Sequence, residues 1–151
     1  MQIPVNINQC YTNNYSTSSD IVLLVQGDTN PPLVVSIINE TYNSVTGNTS
    51  ITPIDVSSAN VILKIRKVNS NNVFATVIGT KIAGLVNATT GEVSYDPPYD
   101  ILGLGGRVAF FWESGDLSES GNCEGEVSIT YLDENIQTVY NTLPIKIRKE
   151  F

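Results

Sequence analysis

The sequence predicts an all-β protein, an antiparallel β-sandwich of about seven to nine strands carrying a polar N-terminal arm. Three observations predict it. Val, Ile, Thr, Tyr and Asn are plentiful, and these residues suit pleated strands and tight turns rather than helices. From Ile21 onwards apolar runs recur at intervals of roughly ten residues, separated by Gly, Pro, Asn and Asp clusters. Within the best of these runs apolar and polar residues alternate, the period of a strand with one buried face.

The elements follow in order. Residues 1–20 are polar and rich in Asn, Ser and Thr, with only Ile3, Val5 and Ile7 alternating, and read as the arm. Residues 21–151 form the sandwich domain, with strands expected at 21–26, 33–39, 60–68, 73–78, 92–95, 107–112, 124–131, 136–140 and 143–148. Val61, Leu63 and Ile65 alternate with Lys64 and Arg66; Val127 and Ile129 alternate with Glu126 and Ser128; Ile145 and Ile147 alternate with Lys146 and Arg148. Each set turns one face inwards, which places the last strand on the sheet. Trp112 alternates with Phe110 and Val108 and reads as core. The connectors hold turn residues: Gly27-Asp28, Pro31-Pro32, Thr46-Gly47-Asn48, Thr90-Gly91 and Pro97-Pro98. The segments 69–72 and 133–135 are short enough to close antiparallel hairpins. Ser57-Ser58 and residues 101–105 leave room for a helical turn each.

Composition restricts function. At 151 residues the chain has the size of one domain. Eight basic against fifteen acidic residues give a net charge of −7, which disfavours nucleic acid as a partner. The longest apolar run, from Ile21 to Val25, falls far short of the roughly 20 residues of a membrane span. No basic stretch and apolar core follow Met1, so synthesis in the cytoplasm without a secretory signal is expected.

The absence of His removes the most common general base and metal ligand. Cys10 and Cys123 lie far apart and read as two free thiols, with a disulfide from the arm to a late strand as the alternative. Asp116, Glu119, Glu124 and Glu126 gather around a probable loop and read as a solvated acidic stretch rather than a hydrolytic carboxylate pair. Asp116 to Gly121 imitates the first half of a calcium loop, but Val127 stands where the closing Glu is required. Gly103-Leu104-Gly105-Gly106 precedes a strand and reads as a turn, not a nucleotide loop. No catalytic residue, cofactor site or metal site is expected.

What remains is docking chemistry. Six of the eight basic residues lie in two strand segments, with Lys64 and Arg66 sharing one face and Lys146 and Arg148 another. These four are candidates for a basic docking patch on an acidic body, although solvated edge strands guarded by Lys and Arg would give the same pattern. Tyr11, Tyr15 and Tyr42 stand in polar surroundings and are candidates for contacts between subunits, because Tyr offers much contact area for little entropy.

Several stretches together resemble a known family. They are Val25-Gln26-Gly27-Asp28 ahead of Pro32-Leu33-Val34-Val35, the run from Pro53 through Asp55-Val56-Ser57-Ser58 to Val61, Thr89-Thr90-Gly91-Glu92-Val93, Gly121-Asn122-Cys123-Glu124-Gly125-Glu126-Val127, and Gln137-Thr138-Val139-Tyr140 with Ile145-Lys146-Ile147-Arg148. In order and spacing they resemble the N-terminal domain of siphophage upper baseplate proteins and similar small virion domains of tailed phages. The resemblance implies an immunoglobulin-like β-sandwich that anchors peripheral parts to the particle, with no catalytic residues. Upper baseplate proteins continue into helical and fibre-holding segments that this sequence lacks. Two placements are therefore expected, a baseplate or tail adaptor and a capsid decoration protein. The expected partners are other phage structural proteins in a symmetric multi-copy assembly, with no nucleic acid and no membrane. A carbohydrate- or receptor-binding module is the alternative. The segment 96–105 and the arm both exceed what the family needs, and either is a candidate docking element.

Overall fold

The computed structural model describes residues 7–12, 21–87 and 90–151, and for residues 7–12, 40–42 and 49 only the backbone is described. Among these residues thirteen strands form and no helix.

Strict alternation builds the larger sheet. Strand β5 (Asn60–Lys67) buries Val61, Leu63 and Ile65 while Lys64 and Arg66 stay in solvent. It pairs antiparallel with β11 (Gly121–Thr130), from Asn60 opposite Thr130 to Lys67 opposite Cys123, and β11 in turn buries Cys123, Val127 and Ile129. On the other side of β11 lie β13 (Leu143–Arg148) and, end to end with it, β12 (Ile136–Thr138). The outermost strands are β6 (Val73–Ile78), paired with β5, and β2 (Val22–Val25), which runs parallel to β13. The resulting order is β2-β13-β11-β5-β6.

The second sheet is organised around β3 (Leu33–Asn43). Strand β1 (Ile7–Thr12), inside the stretch read as an arm, pairs along one edge of β3 from Val35 to Asn39. The opposite edge is shared by β10 (Arg107–Phe110) and β4 (Asn48–Pro53), and β7 (Thr80–Lys81) lies beyond β10. The changeover between β10 and β4 falls at Ile37, whose N–H donates to Gly106 O at 2.8 Å and whose carbonyl accepts from Ile54 N at 3.0 Å. Gly106 has φ +79°, and a Cβ there would run into the Ile37 carbonyl, so this junction requires glycine.

The two sheets share one buried cluster. Leu33, Val35, Ile37, Val108 and Phe110 from the smaller sheet meet Val22, Leu63, Ile65, Ile129, Ile145 and Ile147 from the larger one. Two layers of alternating strands closing over one core is how an antiparallel sheet protein hides its apolar faces. Trp112 is buried as expected and its Nε1–H donates to Pro31 O at 2.9 Å. The hairpins at 69–72 and 133–135 form as expected, with Asn69 and Glu134 both at φ 69°.

Several boundaries differ from expectation. The strand read as 33–39 continues to Asn43, because Asn43 Oδ1 accepts from Val45 N and Thr46 N and so closes a tight hairpin onto β4. Strand β4 reads N-T-S-I-T-P, too polar to show alternation, and is held by its ladder with β3. The strand read as 92–95 shrinks to β9 (Val93–Ser94), which forms a small separate hairpin with β8 (Leu85–Val86). The strands read as 107–112 and 136–140 end early, at Phe110 and Thr138.

Candidate functional site

The candidate basic residues fall on one outer face but in two different situations. Glu124 stands opposite Arg66 and Glu126 opposite Lys64 across the β5–β11 ladder. Arg66 Nε donates to Glu124 Oε1 at 2.7 Å, the only ion pair among the described residues. The acidic stretch and the first half of the basic patch are therefore cross-strand partners. That corrects the reading of Asp116, Glu119, Glu124 and Glu126 as one loop cluster. Glu124 and Glu126 belong to β11, while Asp116 lies in the preceding turn and its Oδ2 accepts from Glu113 N at 2.7 Å. No group of three or more Cys, Asp or Glu side chains able to hold a metal stands together among the described residues.

Lys146 and Arg148 differ. They project from β13 beside Leu23, Leu24 and Val25 of β2 and line a cleft of about 320 Å³. Leu23, on the same outer side, is 55% exposed. The Arg148 guanidinium lies 4.8 Å from the centroid of the Phe151 ring and donates to Lys149 O at 2.9 Å. Neither cation has a carboxylate within ion-pair distance among the described residues. The Glu150 carboxylate lies by Gly27, its Oε2 3.7 Å from where a Cβ there would stand. A half-exposed leucine thus stands beside two cations that form no ion pair among the described residues.

Of the tyrosines, Tyr11 lies in β1 opposite Ser36, and Tyr42 in β3 opposite Thr49; their side chains lie outside the described residues, as does all of Tyr15. Cys123 is a free thiol facing the core, and the side chain of Cys10 lies outside the described residues.

The second surface is the connection between β7 and β10. Its middle, residues 95–102, is a chain of tight turns: Tyr99 N donates to Asp96 O at 2.9 Å and Ile101 N to Pro98 O at 3.2 Å. Backbone bonds tie it to the start of the same connection, from Gly84 N to Tyr99 O at 2.7 Å and from Gly103 N to Ile82 O at 3.0 Å, and Val56 N donates to Gly103 O at 3.0 Å from outside it. The loop is thus held by its own backbone and by two prolines, yet it exposes Tyr95, Ile101 and Leu102 at 59, 51 and 58% beside Asp96 and Asp100. Large apolar side chains kept in water on a fixed loop are the usual mark of a contact surface.

A third feature was not legible in the sequence. Arg107, the first residue of β10, is 8% exposed; its Nη1 donates to Ala83 O at 2.6 Å, and its Nε has no partner among the described residues. Ser36 Oγ, on the residue opposite it in the ladder, and Asn39 Oδ1 are also buried without partners among the described residues. Its position at the head of an apolar strand gave no signal that the β7–β10 connection would cover it.

A polar cleft of about 370 Å³ lies between Asp55, Ser57, Tyr131 and Asp133. Its polar groups are occupied locally. Asp55 Oδ1 accepts from Ser57 N and Oγ, Asp133 accepts from Asn135, and Tyr131 OH donates to Gln137 Oε1.

No family model and no curated protein matches this chain. Residue placement and strand order are therefore the grounds on which function can be argued.

Proposed function

We propose that the chain is a non-enzymatic structural protein of a tailed-phage virion, an immunoglobulin-like sandwich docking by protein–protein contacts as a baseplate or tail adaptor or a capsid decoration protein. The observation that carries the docking reading is the pair of prepared surfaces: the rigid apolar and acidic loop at 95–102, and the apolar and basic cleft between β2 and β13. Both are built at backbone expense from fixed elements, which is what a binding surface needs to avoid an ordering cost.

Strand order supports the finer fold reading. An immunoglobulin domain sets strands A-B-E-D in one sheet and G-F-C in the other, with C′ added in the variable type. The orders β1-β3-β10-β7 and β13-β11-β5-β6 correspond to that arrangement. The domain lacks the antibody hallmarks, since Trp112 follows the strand in the E position and Cys123 is a free thiol. The virion placement rests on the motif resemblance to upper baseplate domains.

The test is quantitative mass spectrometry of gradient-purified particles from a lysate that produces the chain. A fixed copy number that follows the particle's symmetry is expected; particles free of the chain would overturn the virion reading. The carbohydrate-binding alternative has the Asp55–Asp133 cleft as its site, and there the carboxylates are already engaged by their own turns. A glycan array giving no binder is the expected result.

A further inference from the structure

The two prepared surfaces lie at opposite ends of the sandwich. Gly103 O accepts from Val56 N, which ties the loop to the turn leading into Asn60, where β5 starts opposite Thr130. Gln26 N donates to Arg148 O, which ties the cleft to the far end of the same sheet, where Gly121 stands opposite Ile147. The loop therefore cannot reach the cleft of its own molecule.

Their chemistry is complementary. The loop presents Tyr95, Ile101 and Leu102 with the carboxylates of Asp96 and Asp100, and residues 95–102 contain no Lys or Arg. The cleft presents Leu23 with the unpaired cations of Lys146 and Arg148. In a chain of net charge −7, most faces of two copies repel one another. These two attract, and each supplies the apolar centre and charged rim that a specific contact needs.

We propose that the occupant of the cleft is the 95–102 loop of a second copy of this chain, so that copies associate head to tail. A contact between two different surfaces at opposite ends is heterologous, and it closes into a ring or runs on as a filament rather than stopping at a dimer. The inference rests on the docking reading of both surfaces and not on the virion placement.

The test is sedimentation velocity of the full chain over a wide concentration range, with two charge-reversed variants: Lys146→Glu with Arg148→Glu, and Asp96→Lys with Asp100→Lys. All four side chains are exposed, and no hydrogen bond or ion pair that supports the fold passes through a carboxylate of Asp96 or Asp100. The wild-type chain is expected to form species larger than a dimer, weakened by salt. Each variant alone should lose association at least tenfold, and an equimolar mixture should regain it, since the acidified cleft of one then meets the basified loop of the other. A wild-type chain that stays monomeric, association that stops at a dimer, or a mixture without recovery would overturn the proposal. A chain that associates in this way but is missing from particles would remove the virion reading and leave this one standing. A monomeric chain found in particles would do the reverse.

Discussion

At the scale of single residues, the buried guanidinium of Arg107 is the feature least explained by stability. Burying a charge without a carboxylate is costly, and replacing such a group by an apolar side chain of similar volume is often neutral or stabilising. Arg107→Met is therefore expected to leave stability unchanged or raise it by up to about 2 kcal/mol in urea unfolding. A loss larger than about 2 kcal/mol would mean that the hydrogen bond from Nη1 to Ala83 O outweighs the cost of burying the charge. Cys123 gives a pH-dependent counterpart. Burial, the largest cause, raises its thiol above the ordinary value, with the Lys67 ammonium opposing and the Glu119 carboxylate adding. A raised folded value means the neutral thiol favours the folded state. That contribution is complete below the unfolded value of roughly pH 8.5 and is lost as pH rises through the folded value above it. Burial likewise raises Tyr131, with Asp55 adding, so its contribution is lost only at still higher pH. Wild-type stability should thus fall more steeply than that of Cys123→Ala as pH rises above about 8.5, and parallel curves would contradict the assignment.

At the scale of elements, β6 stands out by what it lacks. It closes one edge of the larger sheet with the sequence Val-Phe-Ala-Thr-Val-Ile and carries neither charge nor proline. Ile78 is 75% exposed. Sheet edges are usually blunted by Lys, Pro or a bulge, and here only a bulge at Phe74 contributes, where two residues of β6 stand against the single step from Ile65 to Arg66. Thr76 faces solvent in the middle of the strand, so Thr76→Lys should leave stability within about 0.5 kcal/mol and slow aggregation on mild heating, as followed by light scattering. An unchanged aggregation rate would show that β6 is not the vulnerable edge. The strands legible in the sequence were those with strict alternation, β5, β11 and β13, because one buried face leaves a period-two mark. Strands β4, β7 and β8 left none. They are short or polar and exist because a neighbouring ladder receives them, which is tertiary information. The site divides similarly. The shared faces of Lys64 with Arg66 and of Lys146 with Arg148 followed from spacing alone. That Glu124 would engage Arg66, while Lys64, Lys146 and Arg148 form no ion pair among the described residues, depended on β11 lying between β5 and β13, which spacing does not contain.

At the scale of the molecule, both sheets contribute to one core, so neither can lose its partner and stay folded. The single Trp of the chain reports on this directly, since Trp112 packs in that core and bonds to Pro31 on the segment between β2 and β3. Its fluorescence and the far-ultraviolet circular dichroism should change together in one transition, as for a two-state domain of this size. Separate midpoints would mean that one sheet survives the other.

The parallel pairing of β2 with β13 has a consequence for synthesis. Val22 to Val25 are translated among the first residues of the domain, yet their only sheet partner among the described residues is Ile145 to Arg148. Until Ile145 to Arg148 have left the ribosome, that apolar segment has no strand to zip against, and the nascent polypeptide waits with a greasy strip uncovered. Long-range closure of this kind makes folding slow, and the interval before it is the one in which a chaperone would find its handle.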